Sequence, residues 1–167
     1  MNTPTGKLDN CQGGTIRRVG IAQALLKHPE IMIVDEPTAG LDPQERIRFR
    51  KLLRQVGQDS IVIISTHIVE DIEAICDHAA ILHQGTLKTV GPIDEIRHKA
   101  SGNVWELKIP HHEFYRVSEQ WNVISHQREQ EHYRLHILSE TKPEGAEPIT
   151  PTLEDSYLYL MEKQKHA

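Results

Sequence analysis

Two apolar runs, "IMIV" (Ile31 to Val34) and "IVII" (Ile61 to Ile64), constrain this chain more than any other feature. Neither run alternates with polar residues. Each predicts a strand that is apolar on both faces, as in the buried middle of a parallel sheet. A helix is signalled between them. Asp42 is a natural N-cap, Pro43 fits the first helical position, and Glu45 stands at N3 to close a capping box. Phe49, Leu52, Leu53 and Val56 predict its buried stripe. Strand, helix, strand in this order is a βαβ unit, normally a right-handed crossover, so the fold class is α/β. Side chains at the carboxyl end of a parallel strand face the crevice where ligands bind. The first run ends there in two adjacent carboxylates, Asp35 and Glu36.

The flanking segments read as follows. Residues 1–14 are polar and irregular and end in Gly13–Gly14, and a helix is predicted from Thr15 to Lys27 with Val19, Ala22 and Leu26 inward. After His67 a second amphipathic helix carries Ile68, Ile72, Ile75 and Cys76 on one side. "AAILHQGTLKTV" predicts a hairpin turning at Gln84–Gly85, and Pro92 opens a short helix to about Lys99. "ASGN" then marks a change of pattern. It divides the chain into a domain of residues 1–100 and a small α+β domain of residues 101–167. The second has predicted strands at Val104 to Ile109, Trp121 to His126 and His132 to Leu138, with a short helix from Glu113 to Gln120. "KPEGAEPITP" reads as a linker. Thr152 can cap a last helix with Asp155 at N3, burying Leu153, Tyr157, Leu160 and Met161 in some combination.

Composition excludes several classes. With 38% apolar and 26% charged residues the chain reads as soluble and globular. A net charge of -5 argues against a nucleic-acid surface, which needs a basic face. The longest apolar runs are four residues, against the ~20 a membrane span requires. No positive-then-apolar leader opens the sequence. Two cysteines, Cys11 and Cys76, give no disulfide framework and fit a reducing cytoplasm. The 11 histidines are scattered without zinc-site spacing, and most are expected at the surface.

The carboxylate pair has a definite chemical use. Asp35 could hold Mg²⁺ through water, an ion that prefers one or two carboxylates plus phosphate oxygens. Glu36 could orient or deprotonate a water attacking a γ-phosphate. Four segments in order strengthen this: "GGTIRRVGIAQALLKHP", "IMIVDEP", "AGLD" and "STH". Together they resemble the signature helix, Walker B segment with catalytic glutamate, D-loop and switch histidine of the ATP-binding cassette (ABC) family. The resemblance implies the C-terminal half of a P-loop ABC ATPase domain, a partial parallel sheet with helices. It implies Asp35 as the metal residue, with Glu36 and His67 as catalytic residues. Gly13, Gly14 and Thr15 would form an anion-binding tip that acts across a dimer, and Asp42 would touch the partner subunit. ATP and Mg²⁺ are the implied cofactors. A transmembrane permease and a second, head-to-tail ATP-binding subunit are the implied partners, at the inner face of the cell membrane. "PTLEDSYLYLM" is similar to the ending of exporter-type subunits, and "HIVEDIEAICDHAAILHQGTLKTVGP" fits the transporter branch rather than DNA-repair ATPases.

Two departures qualify what the resemblance implies. The signature usually begins Leu–Ser–Gly–Gly–Gln, whereas Cys11–Gln12–Gly13–Gly14–Thr15 stands here. A phosphate loop needs G-x-x-x-x-G-K-[ST]. Gly6–Lys7 is followed by Leu8 and has Met1 where the first glycine belongs. The expectation is therefore a truncated ATPase subunit, inactive alone. The alternative is a non-catalytic interaction module, or a relic, that lends its signature tip or C-terminal domain to an intact partner.

Overall fold

Strands β1 (Ile31–Asp35) and β2 (Ile61–Ser65) lie parallel and in register, pairing Ile31 with Ile61 and Asp35 with Ser65. The computed structural model describes residues 13–26 and 29–163, with side chains from Val19 onward. It divides into two compact units, Met1–Cys76 and Asp77–Ala167.

In the first unit, helix α2 (Pro43–Val56) joins the two strands, which gives the βαβ order. Asp42 caps it by accepting the Glu45 N–H at 2.8 Å. Met32, Val34, Leu41, Phe49 and Leu53 form the core with Ile21 of helix α1 (Gly13–Leu25). Helix α3 (Val69–Ile75) adds Ile75 to this core.

Only one face of the strand pair is covered among the described residues. Ile31, Ile33, Ile61 and Ile63 are each at least 50% exposed, which corrects the expectation of strands buried on both faces. An apolar run carries no signal for how many of its faces are covered. Two helix faces also differ from expectation. Ile21 and Leu25 turn inward on α1, while Val19, Ala22 and Leu26 are exposed. Both sets recur at helical spacing, so the spacing alone does not choose between them. Leu52 of α2 is likewise exposed. Helix α1 starts two residues before the predicted Thr15, while Lys27 and Cys11–Gln12 lie outside the described residues.

The second unit begins with the hairpin β3 (His78–His83) and β4 (Thr86–Pro92). Its two-residue turn has Gln84 and Gly85 both at positive φ, +48° and +72°. That backbone matches the twist of the flanking strands. Helix α4 (Ile93–Arg97) follows. A four-stranded antiparallel sheet then has the order β6 (Asn122–Arg128), β7 (His132–Leu138), β5 (Val104–Pro110), β8 (Glu147–Pro148). One face carries Ile109, Leu135 and Ile137 against Val117 of helix α5 (Phe114–Gln120). The other carries Glu106, Arg134 and His136.

"KPEGAEPITP" is no free linker. Pro143 and Ala146 are buried, and β8 pairs with β5. Helix α6 (Leu153–Glu162) starts on the predicted capping box of Thr152 and Asp155. It packs on α4, and the Ser156 hydroxyl donates to the Arg97 carbonyl at 2.5 Å. This packing groups residues 77–100 with the second unit, whereas the sequence pattern changes at residue 100. Leu153 is buried as expected, but Tyr157 is 38% exposed, and Asp155 and Ser156 are buried in its place. No helix of the described residues is long and apolar enough to cross a membrane.

Not every histidine is a surface residue. His136 of β7 is half-buried, with Nδ1 3.9 Å from Asp155 Oδ1. That is an ion-pair distance and too long for a hydrogen bond. The adjacent Asp155 carboxylate raises the His136 pKa against the opposing effect of burial, with Glu106 adding and Arg134 opposing. Burial raises Asp155, but His136 and the Thr152 N–H and hydroxyl outweigh it and leave the carboxyl below its ordinary value.

The signs give a pH window. The histidine contribution is complete below its unfolded value, about 6.5, and is lost as pH rises through the raised folded value. The aspartate contribution is present above its unfolded value and is lost as pH falls through the depressed folded value. Urea unfolding of wild type and His136→Gln should differ by at most about 1 kcal/mol near pH 5.5 and converge in alkali. A difference that grew towards alkaline pH would contradict the pairing.

Candidate functional site

The carboxyl ends of β1 and β2 bring Asp35, Glu36 and His67 together. Asp35 lies on the exposed face, where the Ser65 hydroxyl donates to its Oδ1 at 2.5 Å. Glu36 breaks the strand alternation. Its φ is +44°, although it is not glycine and precedes Pro37. Such a conformation costs ~1–3 kcal/mol and persists only where the surroundings hold it. The Glu36 N–H still donates to the Ser65 carbonyl at 2.8 Å. The chain then turns over residues 37–40, closed by the Leu41 N–H donating to the Thr38 carbonyl at 3.2 Å. Gly40 supplies the left-handed position at φ +76°.

The Glu36 carboxylate is held from three directions by the segment after β2. The His67 N–H donates to Oε1 at 3.1 Å, and His67 Nδ1 meets the same oxygen at 2.7 Å. The Thr66 hydroxyl donates to Oε2 at 3.2 Å and accepts the Ile68 N–H. The contact to a carboxylate places the proton on His67 Nδ1. The His67 side-chain hydrogen bond holds the Glu36 carboxyl below the ordinary glutamate range. Burial opposes it, while the His67 N–H, its charge and the Thr66 hydroxyl reinforce it. The glutamate is ionised at neutral pH and engaged by a histidine whose side chain is 78% exposed.

Of the other predicted residues, Asp42 is occupied as the N-cap of α2. Gly13, Gly14 and Thr15 form the first turn of α1 rather than preceding it. The oxygens of Asp35 and Ser65, side by side at an exposed strand end, are hard donors that fit Mg²⁺ with water completing its shell.

Sequence reasoning missed two groups. Ser65 and Thr66 stand in "STH", where the resemblance gives a role to His67 alone. The other group is buried. The Asp71 carboxylate of α3, fully buried, accepts from Arg50 Nε at 2.7 Å, from Arg50 Nη2, and from the Thr38 hydroxyl. An acidic residue in the first turn of a helix looks like surface in a sequence.

Comparison with known proteins gives a consistent family signal. No family model matches the chain. The uncharacterized ABC transporter ATP-binding protein YxlF of Bacillus subtilis (strain 168) is 33% identical over 103 residues, 62% of this chain and 35% of that protein. The methionine import ATP-binding protein MetN 2 of Acinetobacter baylyi is 32% identical over 142 residues, 81% of this chain and 41% of that protein. The bacitracin transport ATP-binding protein BcrA of Bacillus licheniformis is 41% identical over 86 residues, 50% of this chain and 28% of that protein. The chain spans less than half the length of these relatives.

Proposed function

We propose that this chain, a relative of the ATP-binding proteins of ABC transporters, contributes the hydrolytic half of an Mg-ATP site that powers a membrane transporter. The observation that carries this is the Glu36 carboxylate fixed by His67 and Thr66 beside Asp35. In the completed site, Asp35 would hold the metal and Glu36 would orient the attacking water. His67 leaves Glu36 to meet the γ-phosphate. Bound Mg²⁺ would neutralise charge building up on the phosphate oxygens. Gly13, Gly14 and Thr15 act on the nucleotide of a second, head-to-tail ATP-binding subunit, and Asp42 faces that subunit. In this reading residues 1–100 are the ATPase part, and the permease partner lies in the cell membrane with this subunit on its cytoplasmic side. We assign the exporter-like type from "PTLEDSYLYLM".

The phosphate loop must come from polypeptide outside these 167 residues, since Gly6–Lys7–Leu8 cannot form one. The bare isoleucine face is a surface such a piece could cover. Mixing this chain with a separately expressed ABC-type segment bearing a phosphate loop should produce ATPase activity that neither shows alone. Tight ATP binding by this chain as a monomer would overturn the reading.

A second reading rests on Asp77–Ala167 having a core of its own, built on Leu135 and Ile137. Here the chain is a non-catalytic module that docks on a transporter. Binding to a permease without any gain of ATPase activity in the mixture would favour it.

A further inference from the structure

We propose that Thr38, Asp71 and Arg50 are positioning residues that hold Glu36 against His67. The inference rests on the reading that Glu36 and His67 act as a pair, but its test needs no nucleotide.

Three segments meet at the Asp71 carboxylate. Thr38 lies two residues after Glu36, Asp71 four residues after His67, and Arg50 in the middle of α2. Thr38 and Asp71 are both fully buried, and donors reach both carboxylate oxygens. A buried ion pair is a poor device for stability, because apolar residues of the same volume often serve as well. Its value here is directional. It fixes the start of α3, and so the His67 end of that segment, relative to the turn that leaves Glu36.

The link to Glu36 is short and stiff. A single residue, Pro37, separates Thr38 from Glu36, and Pro37 is itself fully buried. The ring locks its φ, so a shift of Thr38 passes to Glu36 with little slack. Glu36 also holds a positive φ that it would leave if released. In that conformation its carboxylate meets the His67 N–H and Nδ1.

The test uses the full chain and the backbone N–H of His67, which donates to Glu36 Oε1. Thr38→Val keeps the shape of the side chain and removes only the hydroxyl. Amide hydrogen exchange followed by NMR should then speed up about tenfold at His67, while the amides of Val62 to Ile64 in β2 stay unchanged. Thr38→Ser should restore the wild-type rate. Asp71→Asn, which leaves a neutral acceptor but unpairs the Arg50 charge, should speed exchange at His67 more than at Val62 to Ile64. An unchanged His67 rate in both Thr38→Val and Asp71→Asn would overturn the proposal. So would a uniform rise across the first unit, which is the mark of a residue that only stabilises the fold. A failed complementation would remove the ATP reading, and the exchange pattern would still decide the brace.

Discussion

Glu36→Gln is expected to lower ATP turnover of the complemented site by about 10²–10⁴-fold, the usual worth of positioned acid–base help. The fold should survive. The substituted amide keeps an oxygen for the His67 N–H, and the Thr66 hydroxyl can reverse to accept from the new NH₂ group. Melting temperatures of the two chains should therefore agree closely while turnover separates. ATP affinity should change little, because Glu36 is asked to act on water rather than on the nucleotide. Equal turnover in both chains would remove Glu36 from the reaction.

The pH profile adds a second reading of the same residue. With His67 engaged, Glu36 loses its proton below the ordinary glutamate range. A carboxylate held that low is a weak base, since proton transfer is favoured when the base pKa lies near the working pH. If His67 leaves for the γ-phosphate, the largest cause of the depression leaves with it. The acid limb of turnover should then sit above the depressed value. In His67→Ala without nucleotide, the Glu36 pKa should rise from its depressed value, with the residue 67 N–H and the Thr66 hydroxyl still holding it down in part. A turnover limb that follows the depressed value would mean that Glu36 and His67 stay together during the reaction.

What the sequence made legible is what local chemistry decides. Asp42 before Pro43, Thr152 with Asp155, and Gln84–Gly85 each fix a cap or a turn within a few residues. Asp35, Glu36 and His67 were legible because strand ends place them. Distant partners were not legible. Asp71 meets Arg50 across 21 residues and Thr38 across 33, and no local pattern announces either contact. His136 looked like any scattered histidine until β7 carried it to Asp155. Strand β8 hid in a stretch rich in proline and glycine, because pairing with β5 orders a segment that lacks strand propensity. The bare isoleucine face is the sharpest case. "IMIV" and "IVII" read the same whether or not anything covers their second side.

That face carries the other large effect. Ile33→Lys with Ile63→Lys should leave the isolated chain folded, because Met32 and Val34 make the core from the opposite side. Exposed substitutions of this kind usually move stability by within about 0.5 kcal/mol. The complemented enzyme should respond differently if the phosphate-loop segment covers the face. Burying an isoleucine is worth ~1.5–3 kcal/mol, and the double change removes two of them while adding two charges that must lose water. Complementation should then need well over tenfold more of the second polypeptide, or fail outright, as read by titrating ATPase activity against its concentration. The wild-type chain alone should show the converse behaviour, associating as its concentration rises, since an exposed apolar sheet face with a free edge invites pairing. Sedimentation of wild type and the double variant at the same concentrations checks this. If the variant complements as well as wild type, the phosphate-binding piece meets the chain elsewhere. The four isoleucines would then need another cover.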